Sequence, residues 1–198
     1  MFTDQIAPAV LQMSREQFKE WQFKALQDTL RYAYNNSSFY RKRFDEAGVS
    51  PDKIKTPEDF RKVPFTDKKS FLADQQDNPP YGNRLCVPES EVLEVRSTSG
   101  TSGIGQETYA LTERDRAWSG RGWATHFLEM GLVPGDITFL TLPVSNLSAA
   151  HDIINAIRLA KLNCFFMGTY DTPTKMRYMA NFPVRHLFAT PSYLIRLA

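Results

Sequence analysis

The residue pattern with the clearest chemical meaning is one short segment, Ser97-Thr98-Ser99-Gly100-Thr101-Ser102-Gly103. It combines five hydroxyl side chains with two glycines. Glycine lets the backbone approach a ligand closely and adopt a positive φ angle. Hydroxyls and successive amide N–H groups can together surround a phosphate. The same composition also suits a flexible linker or a turn without a ligand, so the segment alone leaves these alternatives open.

Two common phosphate-binding motifs do not fit this loop. Gly100 and Gly105 have the separation of a Walker A loop, but Gln106-Glu107 stands where Lys followed by Ser or Thr is required. A dinucleotide-binding fingerprint fails as well, because Thr108 occupies the place of its third glycine. If the loop binds phosphate, it does so with another motif.

The secondary structure predicted around the loop, which must position it, differs between three segments of the chain. Residues 1–75 are predicted to be helical, with N-cap signals at Ser14, Thr56 and Thr66. Residues 76–111 are predicted to form an irregular connection followed by a hairpin that carries the loop. Residues 112–198 alternate between strand and helix patterns, which indicates a parallel sheet in an α/β layer. We therefore expect an α/β fold with a helical N-terminal segment and an incomplete parallel sheet.

Composition limits the classes of function. The formal net charge of +2 is too balanced to indicate nucleic-acid binding. Cys86 and Cys164 lie too far apart for a metal-ligand spacing, and we expect both to be small buried apolar groups. The N-terminus has no basic signal region and no run of about 20 apolar residues occurs. These features predict a cytoplasmic protein without a membrane or nucleic-acid partner.

The other polar candidates have structural interpretations. We expect His126, His151 and His186 to be structural, because none has a second ligand-type residue at metal-site spacing. Ser192 is interpreted as a helix cap and Asp136 as a turn residue. Residues 142–148 follow a predicted strand, where α/β folds place ligands. This segment is a candidate for lining a substrate pocket.

The loop and its surroundings resemble a known family. Residues 98–103 are similar to the Ser-Ser-Gly-Thr-Thr-Gly phosphate loop of the adenylate-forming superfamily. Residues 38–44, 63–68, 131–136 and 190–193 resemble motifs of its phenylacetate-CoA ligase branch, in the same order along the chain. The resemblance covers about residues 20–198.

The resemblance implies a two-step reaction. A carboxylate attacks the α-phosphate of ATP to give an acyl-adenylate and pyrophosphate, and a thiol such as coenzyme A then displaces AMP. The implied cofactors are ATP, Mg²⁺ and coenzyme A, and the implied substrate is a small carboxylic acid, with an aromatic acid as the first expectation. The resemblance implies, by position in the matched loop, that the phosphates of ATP are bound by these residues: Thr98, Ser99, Gly100, Thr101, Ser102 and Gly103.

Two features limit what the resemblance implies. The family has Lys-Pro after this loop, whereas Ile104-Gly105 stands here, which removes a cation beside the triphosphate. The family's acidic motif, ribose-binding aspartate and C-terminal lysine domain would all lie after residue 198. We therefore expect no catalytic residue and no metal ligand in the chain, and we expect the chain alone to be inactive. It would associate with the rest of the enzyme, with a partner chain or with itself. The alternative is a non-catalytic, adenylation-like module for binding or assembly.

Overall fold

The computed structural model describes residues 12–100, 103–144 and 148–197, apart from the side chains of residues 148 and 149. The chain folds into two compact units, which divide between residues 113 and 114. The three-segment division predicted from the sequence, at 1–75, 76–111 and 112–198, stays a prediction.

The first unit begins with helices. Their bounds are Arg15–Asn36 for α1, Ser38–Glu46 for α2, Pro57–Phe60 for α3 and Lys68–Asp77 for α4. Helix α1 begins at the predicted capping box. The Gln17 N–H donates to Ser14 Oγ over 3.3 Å, and the Ser14 N–H donates to Gln17 Oε1 over 2.9 Å. The helix therefore starts where two amide groups find side-chain acceptors.

One predicted cap lies one residue away from its true position. The N-cap of α4 is Asp67, not Thr66, because the Asp67 carboxylate accepts the Ser70 N–H at 2.8 Å. A charged acceptor at a helix N-terminus is favoured by the helix dipole as well as by the hydrogen bond. The backbone hydrogen bond from Ser70 lowers the pKa of Asp67. The Thr56 cap of α3 is confirmed, and Asp59 completes its capping box.

The core of the first unit lies between α1, α2 and the chain that follows them. Leu30, Phe44 and Ile54 are buried together, and Phe23 and Leu26 pack against them. Leu30, Phe23 and Leu26 share one face of α1 because residues three and four apart are neighbours on a helix. These apolar residues thus form the buried side of the helix.

A two-stranded hairpin completes the first unit. Strand β1 is Glu94–Ser97 and strand β2 is Thr108–Leu111. They pair antiparallel, with Ser97 opposite Thr108 at the end next to the connecting loop. The predicted hairpin is confirmed, and the Ser/Thr/Gly loop is the segment that joins its strands.

The second unit is an α/β layer with a three-stranded parallel sheet in the order β4-β3-β5. This arrangement confirms the predicted fold class. The elements in chain order are α5 at Glu113–Glu129, β3 at Ile137–Leu140, α6 at Ser148–Leu159, β4 at Asn163–Phe166, α7 at Thr172–Asn181, β5 at His186–Phe188 and α8 at Pro191–Leu197.

The core of the second unit centres on the middle strand. Phe139 and Leu140 of β3 are fully buried. Leu140 packs with Phe127 of α5 and Ala156 of α6 in one apolar cluster. Consecutive strand residues point to opposite faces of the sheet, so Phe139 packs on the other face, against Phe165 of β4. The middle strand is therefore buried on both faces, as is typical of a parallel sheet. No described helix is both long and apolar enough to cross a membrane.

The cysteines and one helix cap differ from the sequence interpretation. Cys86 and Cys164 are only partly buried. Cys164 packs against the apolar cluster, and burial raises its pKa. Helix α8 begins at Pro191, and the hydroxyl that accepts the Tyr193 N–H belongs to Thr190, at 3.3 Å. Ser192 is therefore not the cap, since it already lies inside the helix.

Asp136 has a larger structural role than the turn predicted for it. Its Oδ2 accepts the Val133 N–H at 3.0 Å, which closes the turn before β3. The same oxygen lies 3.0 Å from His186 Nε2, and Oδ1 accepts from Arg185 Nη1 at 3.2 Å. Asp136 is buried. One carboxylate thus joins the starts of β3 and β5, and His186 is structural, as expected.

The Asp136 cluster predicts a specific pH dependence. The Val133 hydrogen bond, followed by that of His186, lowers the pKa of Asp136. A carboxyl whose pKa is lower in the folded state stabilises the fold above its unfolded pKa, and this stabilisation is lost as the pH falls through the folded pKa. Asp136→Asn should therefore be less stable than the wild type at pH 7, and the difference should shrink below about pH 4.

Urea unfolding at several pH values measures this difference. Asp77→Asn is the matched control, because Asp77 is an exposed carboxylate in the last turn of α4. It should change stability little at any of these pH values. A difference between wild type and Asp136→Asn that stays constant down to pH 3 would contradict the assigned role.

Candidate phosphate-binding loop

The predicted site residues lie on the loop between β1 and β2, in the first unit. The structure describes Thr98, Ser99, Gly100 and Gly103. Thr101 and Ser102 lie outside the described residues. The described site residues follow directly from the hairpin ladder, which ends at the Ser97–Thr108 pair. The hairpin thus fixes both ends of the loop.

Thr98 closes the base of the loop. Its N–H donates to the Glu107 carbonyl over 3.0 Å, and its Oγ1 accepts the Glu107 N–H at 3.1 Å. Because a hydroxyl both donates and accepts, Thr98 Oγ1 keeps its own proton for a further acceptor. The side chain can therefore hold the loop and still donate to a phosphate oxygen.

Glycine is required at two described positions in the loop. Gly100 and Gly103 have φ angles of +69° and +70°, in the left-handed region that other residues enter only at a cost. The Gly103 N–H donates to the Gly100 carbonyl over 3.1 Å. A side chain at Gly100 would also meet Gln106, with Cβ 2.8 Å from its Cγ. The sequence interpretation of these glycines as conformational requirements is therefore supported by geometry.

Charged side chains that the sequence reasoning did not single out support the hairpin below the loop. Arg96 is 2% exposed, and its Nε donates to Glu94 Oε1 over 2.8 Å. Glu107 is buried, and its Oε2 accepts the Tyr109 hydroxyl at 2.7 Å. Burial, and then the Glu107 hydrogen bond, raises the pKa of Tyr109 to about 12. The Tyr109 hydroxyl therefore stays protonated as a donor to Glu107 at neutral pH.

A signal for the first of these pairs existed in the sequence. Residues two apart on a strand lie on the same face, and Glu94 and Arg96 are two apart with opposite charges. Glu107 and Tyr109 have the same spacing, although Glu107 stands just before β2. The two-residue spacing along the strand could thus have indicated that the side chains within each pair are neighbours. It could not have indicated that Arg96 and Glu107 are buried.

The carboxyl ends of the parallel strands form a separate region in the second unit. The chain after β4 passes close to the chain after β3, since Gly168 faces Leu142 and Pro143. Of the predicted pocket segment, residues 142–144 are described and residues 145–147 lie outside the described residues. Its role in substrate binding stays a prediction. Among the described residues, no group of three or more His, Cys, Asp or Glu side chains is placed to hold a metal ion.

Comparison with known proteins relates this chain to ligases. No family model matches it. It is 40% identical over 90 residues to the phenylacetate-coenzyme A ligase of Pseudomonas putida, a match that spans 46% of this chain and 19% of the relative. The phenylacetate-coenzyme A ligase of Escherichia coli (strain K12) is 38% identical over 90 residues, which span 46% of this chain and 20% of that protein.

The fold agrees with the sequence match. A crystal structure of a 2-hydroxyisobutyryl-CoA ligase, in complex with 2-HIB-AMP and CoA in the thioesterification state, superposes with a TM-score of 0.89 and 26% identity. The superposition covers 96% of this chain and 40% of the ligase. This chain is thus a homologue of the phenylacetate-coenzyme A ligases and has the fold of the corresponding part of an adenylate-forming CoA ligase.

Proposed function

We propose that the chain is the N-terminal part of an ATP-dependent carboxylate-CoA ligase and that its loop at residues 98–103 binds the phosphates of ATP. The observation that carries the proposal is the loop itself. Its described part has two glycines in the left-handed region and a threonine hydroxyl fixed at its base. The homology to CoA ligases supports this assignment.

The donor set of the loop suits a phosphate group. Backbone N–H groups around left-handed glycines form a concave site for anions, and the hydroxyls add donors that can rotate toward the ligand. In the proposed reaction, a substrate carboxylate oxygen attacks the α-phosphorus of ATP and the bond to the β-phosphate breaks. The loop would hold the β- and γ-phosphates and so stabilise the pyrophosphate that leaves.

The proposal also includes Mg²⁺ and coenzyme A. The residues of this chain support the two to different degrees. The described site residues of the loop offer two hydroxyls, of Thr98 and Ser99, and backbone groups but no carboxylate. They could add a hydroxyl oxygen to a Mg²⁺ ion that the phosphates hold, which is how this ion is commonly bound. Magnesium would neutralise charge on the phosphates. We assign no residue of this chain to coenzyme A.

For the acid substrate we propose an aromatic carboxylate. The relatives in Pseudomonas putida and Escherichia coli are named for phenylacetate. The structural neighbour is a ligase for 2-hydroxyisobutyrate, a small branched acid. The phenylacetate ligases match this chain at up to 40% identity over 46% of its length, and these sequence matches favour the aromatic acid.

A non-catalytic adenylation-like module is the second candidate. Ile104 stands where the family has lysine, and its side chain is 51% exposed. An exposed apolar group beside the loop offers no charge to a triphosphate, whereas a lysine would. This substitution predicts weaker binding of ATP than in a typical ligase, or a protein that keeps the fold without the reaction.

Pyrophosphate release separates the two candidates. The purified chain, and any longer polypeptide that contains it, would be incubated with Mg-ATP, coenzyme A and a panel of aryl and fatty carboxylates. We expect release only from the longer polypeptide, and only when an acid is present. Removing Mg²⁺ with a chelator should abolish it. If neither folded protein releases pyrophosphate with any acid, the ligase is excluded for these substrates and the module is favoured.

A further inference from the structure

Helix α4 lies under the end of the loop that leads into β2. Leu72 of this helix lies next to Gly105, since a Cβ added at Gly105 would lie 3.3 Å from Leu72 Cδ1. Gln75 stands three residues later and therefore on the same helix face. Both side chains are partly buried. The end of the loop thus rests on one face of α4.

Gln75 ties this part of the loop to the helix. Its Oε1 accepts the Thr108 N–H at 2.9 Å, and the Thr108 hydroxyl lies at the same distance from it. Its Nε2 donates to the Gln106 carbonyl over 3.4 Å. One amide side chain therefore satisfies both a backbone donor and a backbone acceptor. Its contact with Thr108 is partly buried, whereas its contact with Gln106 is exposed.

These contacts connect Gln75 to the base of the loop. Thr108, which Gln75 holds, follows Glu107 directly in the chain. Glu107 in turn exchanges two hydrogen bonds with Thr98, the first residue of the proposed phosphate site. If Thr108 moved away from α4, Glu107 would move with it, and the two hydrogen bonds between Glu107 and Thr98 would be weakened. Gln75 thus acts on the site through two intervening residues, Thr108 and Glu107.

We propose that Gln75 is a positioning residue for the phosphate loop, and this inference rests on the proposed function of that loop. A loop with several glycines loses much conformational freedom when a ligand orders it. Side chains that order it beforehand reduce this cost and strengthen binding. Gln75 sets the path of residues 105–108, so that the backbone enters the site in its binding conformation.

The test is a titration of the full chain with Mg-ATP and with Mg-AMP. Gln75→Leu keeps the size of the side chain but removes its polar contacts. It should weaken Mg-ATP binding about tenfold and leave Mg-AMP binding within about twofold, because AMP lacks the β- and γ-phosphates. Gln75→Glu keeps the acceptor for Thr108 and should restore most of the affinity. Gln76→Leu, at the exposed neighbouring position, should behave as the wild type.

If Gln75 only stabilises the fold, its variants should show a different pattern of nucleotide affinities. If Gln75→Leu lowers both affinities equally, or if Gln75→Glu fails to recover Mg-ATP binding, Gln75 does not position the loop for the triphosphate. Thermal unfolding of each variant shows whether the chain is folded at the titration temperature.

A failure of the proposed function would be distinguishable. If the wild type binds no Mg-ATP, the assignment of the loop fails, and the positioning claim is then tested by amide hydrogen exchange. Gln75→Leu should speed exchange at Glu107 and Thr108 about tenfold, with little change at Val95. Equal exchange in the two proteins would overturn the inference.

Discussion

Gly168→Ala should destabilise the second unit by about 3 kcal/mol and lower the thermal midpoint by about 10 °C. A Cβ at this position would meet the Leu142 carbonyl oxygen and would lie 2.5 Å from Pro143 Cα. These are backbone atoms, so no side-chain rotation relieves the overlap. The segments that follow β3 and β4 would have to separate at the carboxyl end of the sheet.

Gly122→Ala provides the matched control for this substitution. Gly122 is exposed within helix α5, and a Cβ there meets no atom within 4 Å. The same change should raise stability there by about 1 kcal/mol, because alanine favours a helix more than glycine. If Gly168→Ala unfolds at the wild-type temperature, the chain after β3 does not lie against Gly168.

Gly100→Ala should weaken Mg-ATP binding about tenfold while the fold is retained. Its φ of +69° is costly for alanine, by about 1–2 kcal/mol. The added Cβ also crowds Gln106, an exposed side chain that can move. The loop would then leave the conformation that presents its N–H groups, and a loss of about 1.4 kcal/mol corresponds to a factor of ten in affinity.

Gly48→Ala shows whether backbone strain outside the loop also lowers the affinity for Mg-ATP. Gly48 has a φ of +65° and nothing within 4 Å of a built Cβ, and it ends helix α2. It should cost similar stability but leave Mg-ATP affinity unchanged. Equal affinities for wild type and Gly100→Ala would remove the loop from the binding site. Isothermal titration calorimetry of the three proteins makes the comparison.

Much of the fold could be predicted because its signals are local. Helix starts at Ser14 and Thr56 depend on residues three positions apart, and Gly48, with a positive φ, follows the end of α2 as glycine commonly does after a helix. The alternation of strands and helices after residue 112 correctly predicted a parallel sheet. The Asp67 cap was missed by one residue, because Thr66 and Asp67 are both good capping residues and only the structure decides between them.

The support of the loop could not be predicted, because it depends on contacts between distant residues. Gln75 meets Thr108 across 33 positions and so holds the loop on α4. In the second unit, Asp136 likewise meets His186 across 50 positions. Neither pair follows a local spacing rule such as a helix turn or a strand alternation. The loop itself was recognisable from its composition and order. The elements that hold it became visible only in the folded chain.

The central claim is that this chain carries a binding site for the phosphates of ATP. The most direct measurement is calorimetric titration of the wild-type chain with Mg-ATP and, separately, with Mg-AMP. If the loop holds the β- and γ-phosphates, Mg-ATP should bind at least about tenfold more tightly than Mg-AMP, since a few charge-assisted hydrogen bonds supply that difference. Equal affinities, or no binding of either nucleotide by the folded chain, would contradict the claim.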